Sequence, residues 1–216
     1  MEIREISFTG MLPRVFVSER IPCSDVWRMR LTLRKGEFYR VEAASGAGKS
    51  SMCSYIYGAR VDYEGTLAFN GDDVAAFPME RWQELRRRNL AYLPQELSLF
   101  PELTALQNIE LKNSLTSHVG TERIEEWLHE LGIDSRRDYP VGRMSIGQQQ
   151  RVGIIRALCQ PFDFIMLDEP VSHLDEENNL KAARMIASEA RRQNAGIITT
   201  SVGNPLLLDE CINLKL

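Results

Sequence analysis

The sequence predicts an α/β protein in which a parallel β core is interrupted by a helical subdomain, and three observations predict it. A strand-like run, Glu37 to Glu42, passes through a Gly-rich loop into a helix start at Lys49. Apolar runs of strand length return at Phe164 to Leu167 and at Ile197 to Thr200, separated by an amphipathic stretch from Glu177 to Asn194. Between Pro78 and about Gln150 the texture is helical instead.

Taken in order, Glu2 to Phe8 reads as a strand, as does Val26 to Leu33 through its period-two alternation; Lys35-Gly36 makes the turn before Glu37 to Glu42. Lys49 to Tyr57 begins a helix, and Gly65 to Phe69 followed by Asn70-Gly71 is a strand ending in a turn. Glu80 to Asn89 is a charged helix. Glu122 to Leu131 places Ile124, Trp127, Leu128 and Leu131 at helical spacing. The expected organisation is one compact unit, 1–216, with a core of 1–77 and 151–216 and a helical insert of 78–150.

Composition narrows the function classes. With 44% hydrophobic and 26% charged residues, the 216-residue chain has enough apolar material for a sizeable core. A net charge of −4 supplies no basic field for nucleic acid. Cys23, Cys53, Cys159 and Cys211 form no C-x-x-C pair and have no histidine at ligand spacing, which argues against zinc or a disulfide framework. No run of about 18 apolar residues is present, and the first residues are charged, so neither a membrane span nor a signal peptide is expected. Any membrane role is expected to come through a partner.

Ala43-Ala44-Ser45-Gly46-Ala47-Gly48-Lys49-Ser50-Ser51 lies between the expected strand and helix, the context in which a G-x-x-x-x-G-K-[ST] pattern cradles a triphosphate. Gly46 and Gly48 let backbone N–H groups turn inward, Lys49 reaches the β and γ phosphates, and the Ser50 hydroxyl serves Mg²⁺. Ala43 stands where the pattern has its first glycine, a departure that matters if the backbone there needs positive φ. Phe162 to Leu167 then ends in Asp168-Glu169-Pro170, which puts two carboxylates at the C-terminal edge of a parallel sheet, where ligands bind. Asp168 suits the metal and Glu169 the attacking water. A Gly/Ser-rich turn and a helix-capping acidic loop are the plainer readings of these two segments.

Met144-Ser145-Ile146-Gly147-Gln148-Gln149-Gln150-Arg151 resembles the LSGGQ signature of ABC ATPases; Tyr92-Leu93-Pro94-Gln95 resembles their Q-loop, and Ser172-His173-Leu174-Asp175 their D-loop. With the phosphate loop and the paired acids, five motifs stand in the family's order. The resemblance implies a P-loop NTPase fold of ABC type, with a RecA-like parallel core, an antiparallel β region and the inserted helical subdomain. It implies that ATP, with Mg²⁺, is held by Ser45 to Ser51 of one subunit and by Ser145, Gly147 and Gln148 of another. Gln95 then joins Ser50 and Asp168 at the metal and Glu169 and Lys49 at the reacting phosphate. Independently of the resemblance, Ser145 and Gln148 have capping-box spacing, so the signature opens a helix with free N–H groups. Phe16 matches the family's adenine-stacking aromatic, with Phe8 as a rival and a core role as the alternative for either.

Glu84-Leu85-Arg86-Arg87-Arg88, the Q-loop and the stretch Leu99 to Asn108 look like one subgroup, the lipoprotein-release, MacB-like and FtsE-like ATPases. The implied function is an ATP-hydrolysing subunit that dimerises with itself or a homologous subunit and powers an integral, permease-like membrane protein. Its work would be export of lipoprotein or other hydrophobic cargo, or transmission of force across the envelope, from a cytoplasmic position on the inner face of the membrane. A soluble ATPase of the iron–sulfur assembly type and a slow, nucleotide-gated binding module are the alternatives. Arg86 to Arg88 also reads as a solvated helix face. Leu97, Leu99, Phe100 and Leu103 read as either a partner-docking patch or part of the subdomain core. Two departures stand out: Ile146 replaces a signature glycine, and Val202 falls where the family has a histidine that contacts the γ-phosphate.

Overall fold

The computed structural model describes residues 2–18 and 24–216, so Cys23 lies outside the described residues. Five parallel strands form the central sheet: β3 (Phe38–Glu42), β6 (Leu90–Leu93), β7 (Phe164–Asp168), β8 (Gly196–Ser201) and β9 (Ile212–Lys215), in the order β6-β7-β8-β3-β9. A second, antiparallel sheet contains β1 (Glu5–Pro13), β2 (Arg30–Arg34), β4 (Tyr63–Phe69) and β5 (Asp72–Asp73), ordered β2-β1-β4-β5. Among the described residues there are six α-helices: α1 (Lys49–Ile56), α2 (Met79–Arg88), α3 (Ala105–Asn113), α4 (Thr121–Glu130), α5 (Ile146–Leu158) and α6 (Glu176–Arg192).

Strand alternation divides the interior into two cores. In β7, Phe164 and Met166 face a core shared with β1, β4 and α1, whereas Ile165 and Leu167 face one built from α3 to α6. Every residue of β7 is buried, as expected of a central parallel strand covered on both faces. The periodicity read in Glu122 to Leu131 is met: Ile124, Trp127, Leu128 and Leu131 are all buried.

Three readings of the chain need correction. Val26 to Met29 is not strand; the Ser24 hydroxyl accepts hydrogen bonds from the N–H groups of Val26 and Trp27 at 3.0 and 2.9 Å, closing a turn, and β2 starts at Arg30. The first strand begins at Glu5 rather than Glu2 and extends to Pro13, because Asn70 Oδ1 takes the N–H groups of Arg4 and Glu5 outside the ladder. The helical stretch 78–150 contains a strand, β6, paired with β7 at the edge of the central sheet. In addition, α2 buries Leu85 in the core of the antiparallel sheet rather than in that of the insert.

The basic run has a structural use. Arg86 donates to the carbonyls of Tyr57 and Gly58, Arg87 to that of Leu115, and Arg88 pairs with Glu84 at 3.0 Å. The stretch Leu99 to Asn108 is fastened from within, since fully buried Asn108 accepts from the Phe100 N–H and donates to the carbonyls of Phe100, Leu103 and Thr104.

Candidate functional site

The C-terminal ends of β6, β7, β8 and β3 lie on one edge of the sheet, and the motifs arrive there on separate connections. From β3 the chain enters the phosphate loop. Gly46 and Gly48 have φ of 82° and 95°, the left-handed region that glycine tolerates, and Gly48 caps α1. Ala43 is not among the positive-φ positions, so its side chain costs the loop nothing. Lys49 is buried and donates to the carbonyls of Ala43 and Ala44 at 3.1 and 2.9 Å. An ammonium has three donors, so one remains to meet a phosphate. Ser45, Gly46 and Ser50 are exposed, while Ala47 and Ser51 are half-buried.

A Cβ on Gly48 would meet Phe16 at 3.0 Å and Trp27 at 3.1 Å, and Trp27 Nε1 donates to the Ala47 carbonyl at 3.1 Å. These rings brace the loop. Phe16 is half-buried beside it, whereas Phe8 is buried in β1 within the core, which removes Phe8 as the stacking candidate.

At the end of β7, Asp168 is 1% exposed and accepts from Thr200 Oγ1 at 2.6 Å. Glu169 follows with φ of 51°, so the backbone leaves the strand alternation there. Its N–H donates to Thr200, to the carbonyl at 3.3 Å and to Oγ1 at 3.2 Å. The two neighbouring carboxylates are thereby aimed differently. Gln95, exposed just after β6, donates from Nε2 to Glu169 Oε2 at 3.4 Å. Ser50, Asp168 and Gln95 offer only oxygen ligands to a cation, the donor set that suits a hard ion such as Mg²⁺, and the buried Asp168 charge is of the kind that a cation stabilises.

The signature opens α5 with a complete capping box. The Ser145 hydroxyl accepts from the Gln148 N–H at 3.3 Å, and Gln148 Oε1 accepts from the Ser145 N–H at 3.0 Å. Gly147 is needed for proximity, since a Cβ there would lie 2.9 Å from the His173 carbonyl. Ile146 is 54% exposed and does not fill that contact.

Several partners escape a reading of the sequence. Gln150 donates to the Glu169 carbonyl and to Ser172 Oγ and accepts from the His173 N–H at 3.0 Å, fixing the D-loop against the acids. Its place in the signature was the only signal. Asn204 donates to the Val171 carbonyl at 2.8 Å and accepts from Asn179, so its amide is engaged in holding that same loop. Val202, just beyond β8, is 46% exposed.

Residues 26–172 match the profile of the ABC transporter family. The ABC transporter ATP-binding protein YtrE of Bacillus subtilis is 31% identical over 159 residues, spanning 72% of this chain and 69% of that protein. The lipopolysaccharide export system ATP-binding protein LptB of Haemophilus influenzae is 30% identical over 185 residues, 84% of this chain and 75% of that protein. The macrolide export ATP-binding/permease protein MacB of Vibrio parahaemolyticus is 31% identical across 77% of this chain, which spans only 26% of that longer protein. In fold, the dimeric structure of MJ0796, a bacterial ABC transporter cassette, superposes with a TM-score of 0.77 at 24% identity, covering 97% of this chain and 94% of the other. The same cassette in a post-hydrolysis state bound to ADP and Pi gives 0.73 at 23% identity, covering 91% and 87%.

Proposed function

This chain belongs to the ABC transporter family, whose ATPases bind ATP, and we propose that it hydrolyses ATP between two copies of itself, or with a homologous subunit, to drive an integral membrane partner. The observation that carries the reading is the meeting of Lys49, Asp168, Glu169 and Gln95 at one sheet edge on three separate connections. Lys49 and the backbone N–H groups of Ser45 to Ser51 would hold the phosphates, and Ser50, Asp168 and Gln95 would hold Mg²⁺, whose charge would favour the phosphoryl transfer. Glu169, steadied by Gln95, takes the proton of the attacking water. Phe16 stacks on the base. Ser145, Gly147 and Gln148 close on the nucleotide of the opposite subunit through the α5 N-terminus.

No helix among the described residues is long and apolar enough to cross a membrane. We place the chain on the cytoplasmic face, docked through the groove beside Gln95 in which Pro94 and Leu97 lie. The likeness to proteins named for lipopolysaccharide and macrolide export supports a hydrophobic or lipid-linked cargo, or force delivered across the envelope. A slow, nucleotide-gated module is the second reading, favoured by exposed Val202, which offers no donor to a γ-phosphate.

Nucleotide titration with steady-state phosphate release tests the proposal. Lys49→Ala should abolish ATP binding, and unchanged affinity would sink the phosphate-loop assignment.

A further inference from the structure

Two cations share the groove beside Gln95. The cavity, of about 330 Å³, has Tyr57, Tyr92 and Leu97 as its apolar wall, with Lys112 and Arg156 beside them. The tyrosine rings pack against each other at 5.2 Å between centroids. Gly153 lets α5 close against β6 and the following loop, since a Cβ there would come within 3.0 Å of Leu93 and 3.4 Å of Leu97.

The charge in this groove is unbalanced. Among the described residues no carboxylate lines it, and the Lys112 ammonium makes neither a hydrogen bond nor an ion pair. Arg156 donates to the Ser98 carbonyl at 2.5 Å and lies over the Phe100 ring, contacts that hold the guanidinium in place without neutralising it. Burial, and then the neighbouring Arg156 charge, push the Lys112 ammonium below its usual range. Two half-buried like charges without a counter-charge are unfavourable in the free subunit and are relieved by an anion that enters the groove.

We propose that the segment of the membrane partner seated in this groove carries a carboxylate side chain that lodges between Lys112 and Arg156, its apolar neighbours covering Tyr57, Tyr92 and Leu97. The inference rests on the docking reading given above and adds the chemistry of the occupant. A carboxylate is the side chain whose two oxygens accept from both an ammonium and a guanidinium while its charge offsets theirs. An exclusively apolar segment would bury both cations without compensation.

The probe is a displayed library of amphipathic helical peptides, randomised at its central positions and selected against the intact chain. Peptides selected by the wild-type protein should carry Asp or Glu at one position flanked by apolar residues, and Lys112→Glu should shift that position to Lys or Arg. Replacing the selected Glu by Gln in a synthetic peptide should weaken binding about tenfold or more, read by fluorescence anisotropy. Ala59→Trp, an exposed position on the rim, fills the groove and serves as the control for location. Peptides that lose binding to Ala59→Trp yet show no acidic preference would overturn the carboxylate and leave the docking reading standing. Peptides that bind Ala59→Trp as well as wild type would overturn the docking reading and the proposal with it. Thermal melts of both variants, expected to match wild type, ensure that lost binding is not lost folding.

Discussion

Two aspartates bracket strand β7, and they have little in common beyond burial. Asp163, at the N-terminal end, accepts from the Ile3 N–H at 2.8 Å, from Asn89 Nδ2 at 2.6 Å and from Lys35 Nζ at 2.5 Å, and Lys35 also pairs with Glu2. Asp168, at the C-terminal end, receives one hydrogen bond among the described residues, from Thr200. At one end of the sheet a buried charge is saturated by its own chain and ties the two sheets together. At the other the charge is left under-coordinated, backbone strain gathers at Glu169, and exposed Gly46 and Ser50 stand at the same edge of the sheet, on the connection that follows β3. A buried acid with every lone pair engaged is a staple, whereas one with capacity to spare is available to a ligand.

This contrast can be broken or sharpened by substitution. The largest effect on stability is expected from Asp163→Ala, which leaves Lys35 with Glu2 alone and removes the carboxylate that accepts from Asn89 Nδ2 and the Ile3 N–H. Removing one partner of a buried ion pair costs about 3–5 kcal/mol, to be read by denaturant unfolding, with nucleotide affinity of the folded protein unchanged. A loss below about 1 kcal/mol would show that this end is not the staple. Next comes Glu169→Gln at the opposite end, which should slow phosphate release about 10²-fold or more while leaving ATP binding and the melting temperature in place. Full activity would assign the base elsewhere.

Val202→His should raise turnover about tenfold by supplying a donor that strengthens as charge develops on the phosphate. Because Asn204 is engaged with Val171 and Asn179, it is not free to substitute for that histidine. A wild-type rate already at about 1 s⁻¹ or above, with no gain in the variant, would mean that another residue senses the γ-phosphate. The smallest effect is expected from Ser145→Ala, which removes the α5 cap and costs about 1 kcal/mol of stability. A much larger loss would mean that the signature is structural before it is functional.

The same contrast sets how much could be read from the sequence. Strands β7 and β8 were legible because each is an apolar run beside a motif, β3 because a strand-like run follows the Lys35-Gly36 turn and leads into the Gly-rich loop, and the phosphate loop because glycine, lysine and serine stand at fixed spacing. Strand β6 was hidden, since its four residues lie between a charged helix and Pro94, too few for a period to show. The alternation in Val26 to Leu33 misled because the Ser24 hydroxyl captures two N–H groups that a ladder would have used. Within the site, the contacts of Thr200 with Asp168 and of Gln150 with the D-loop join residues distant in sequence, and no local pattern announces them. Lys35, Asn89 and Asp163 were silent for the same reason.

The order of strands also sets a timetable for the chain as it is made. Strand β3 delivers the phosphate loop, yet its two neighbours in the sheet are β8 and β9, the latest of the nine described strands to be synthesised. At about 5–20 residues per second, on the order of 10–30 s separates the emergence of β3 from that of β8. Through that interval the nascent chain carries Lys49 and its glycines with no sheet edge to hold them, so neither ATP nor a second subunit has a formed site to engage. Ribosome-bound chains halted before Gly196 should therefore fail to retain nucleotide however complete their upstream motifs, and assembly with a partner is deferred until β8 and β9 have emerged.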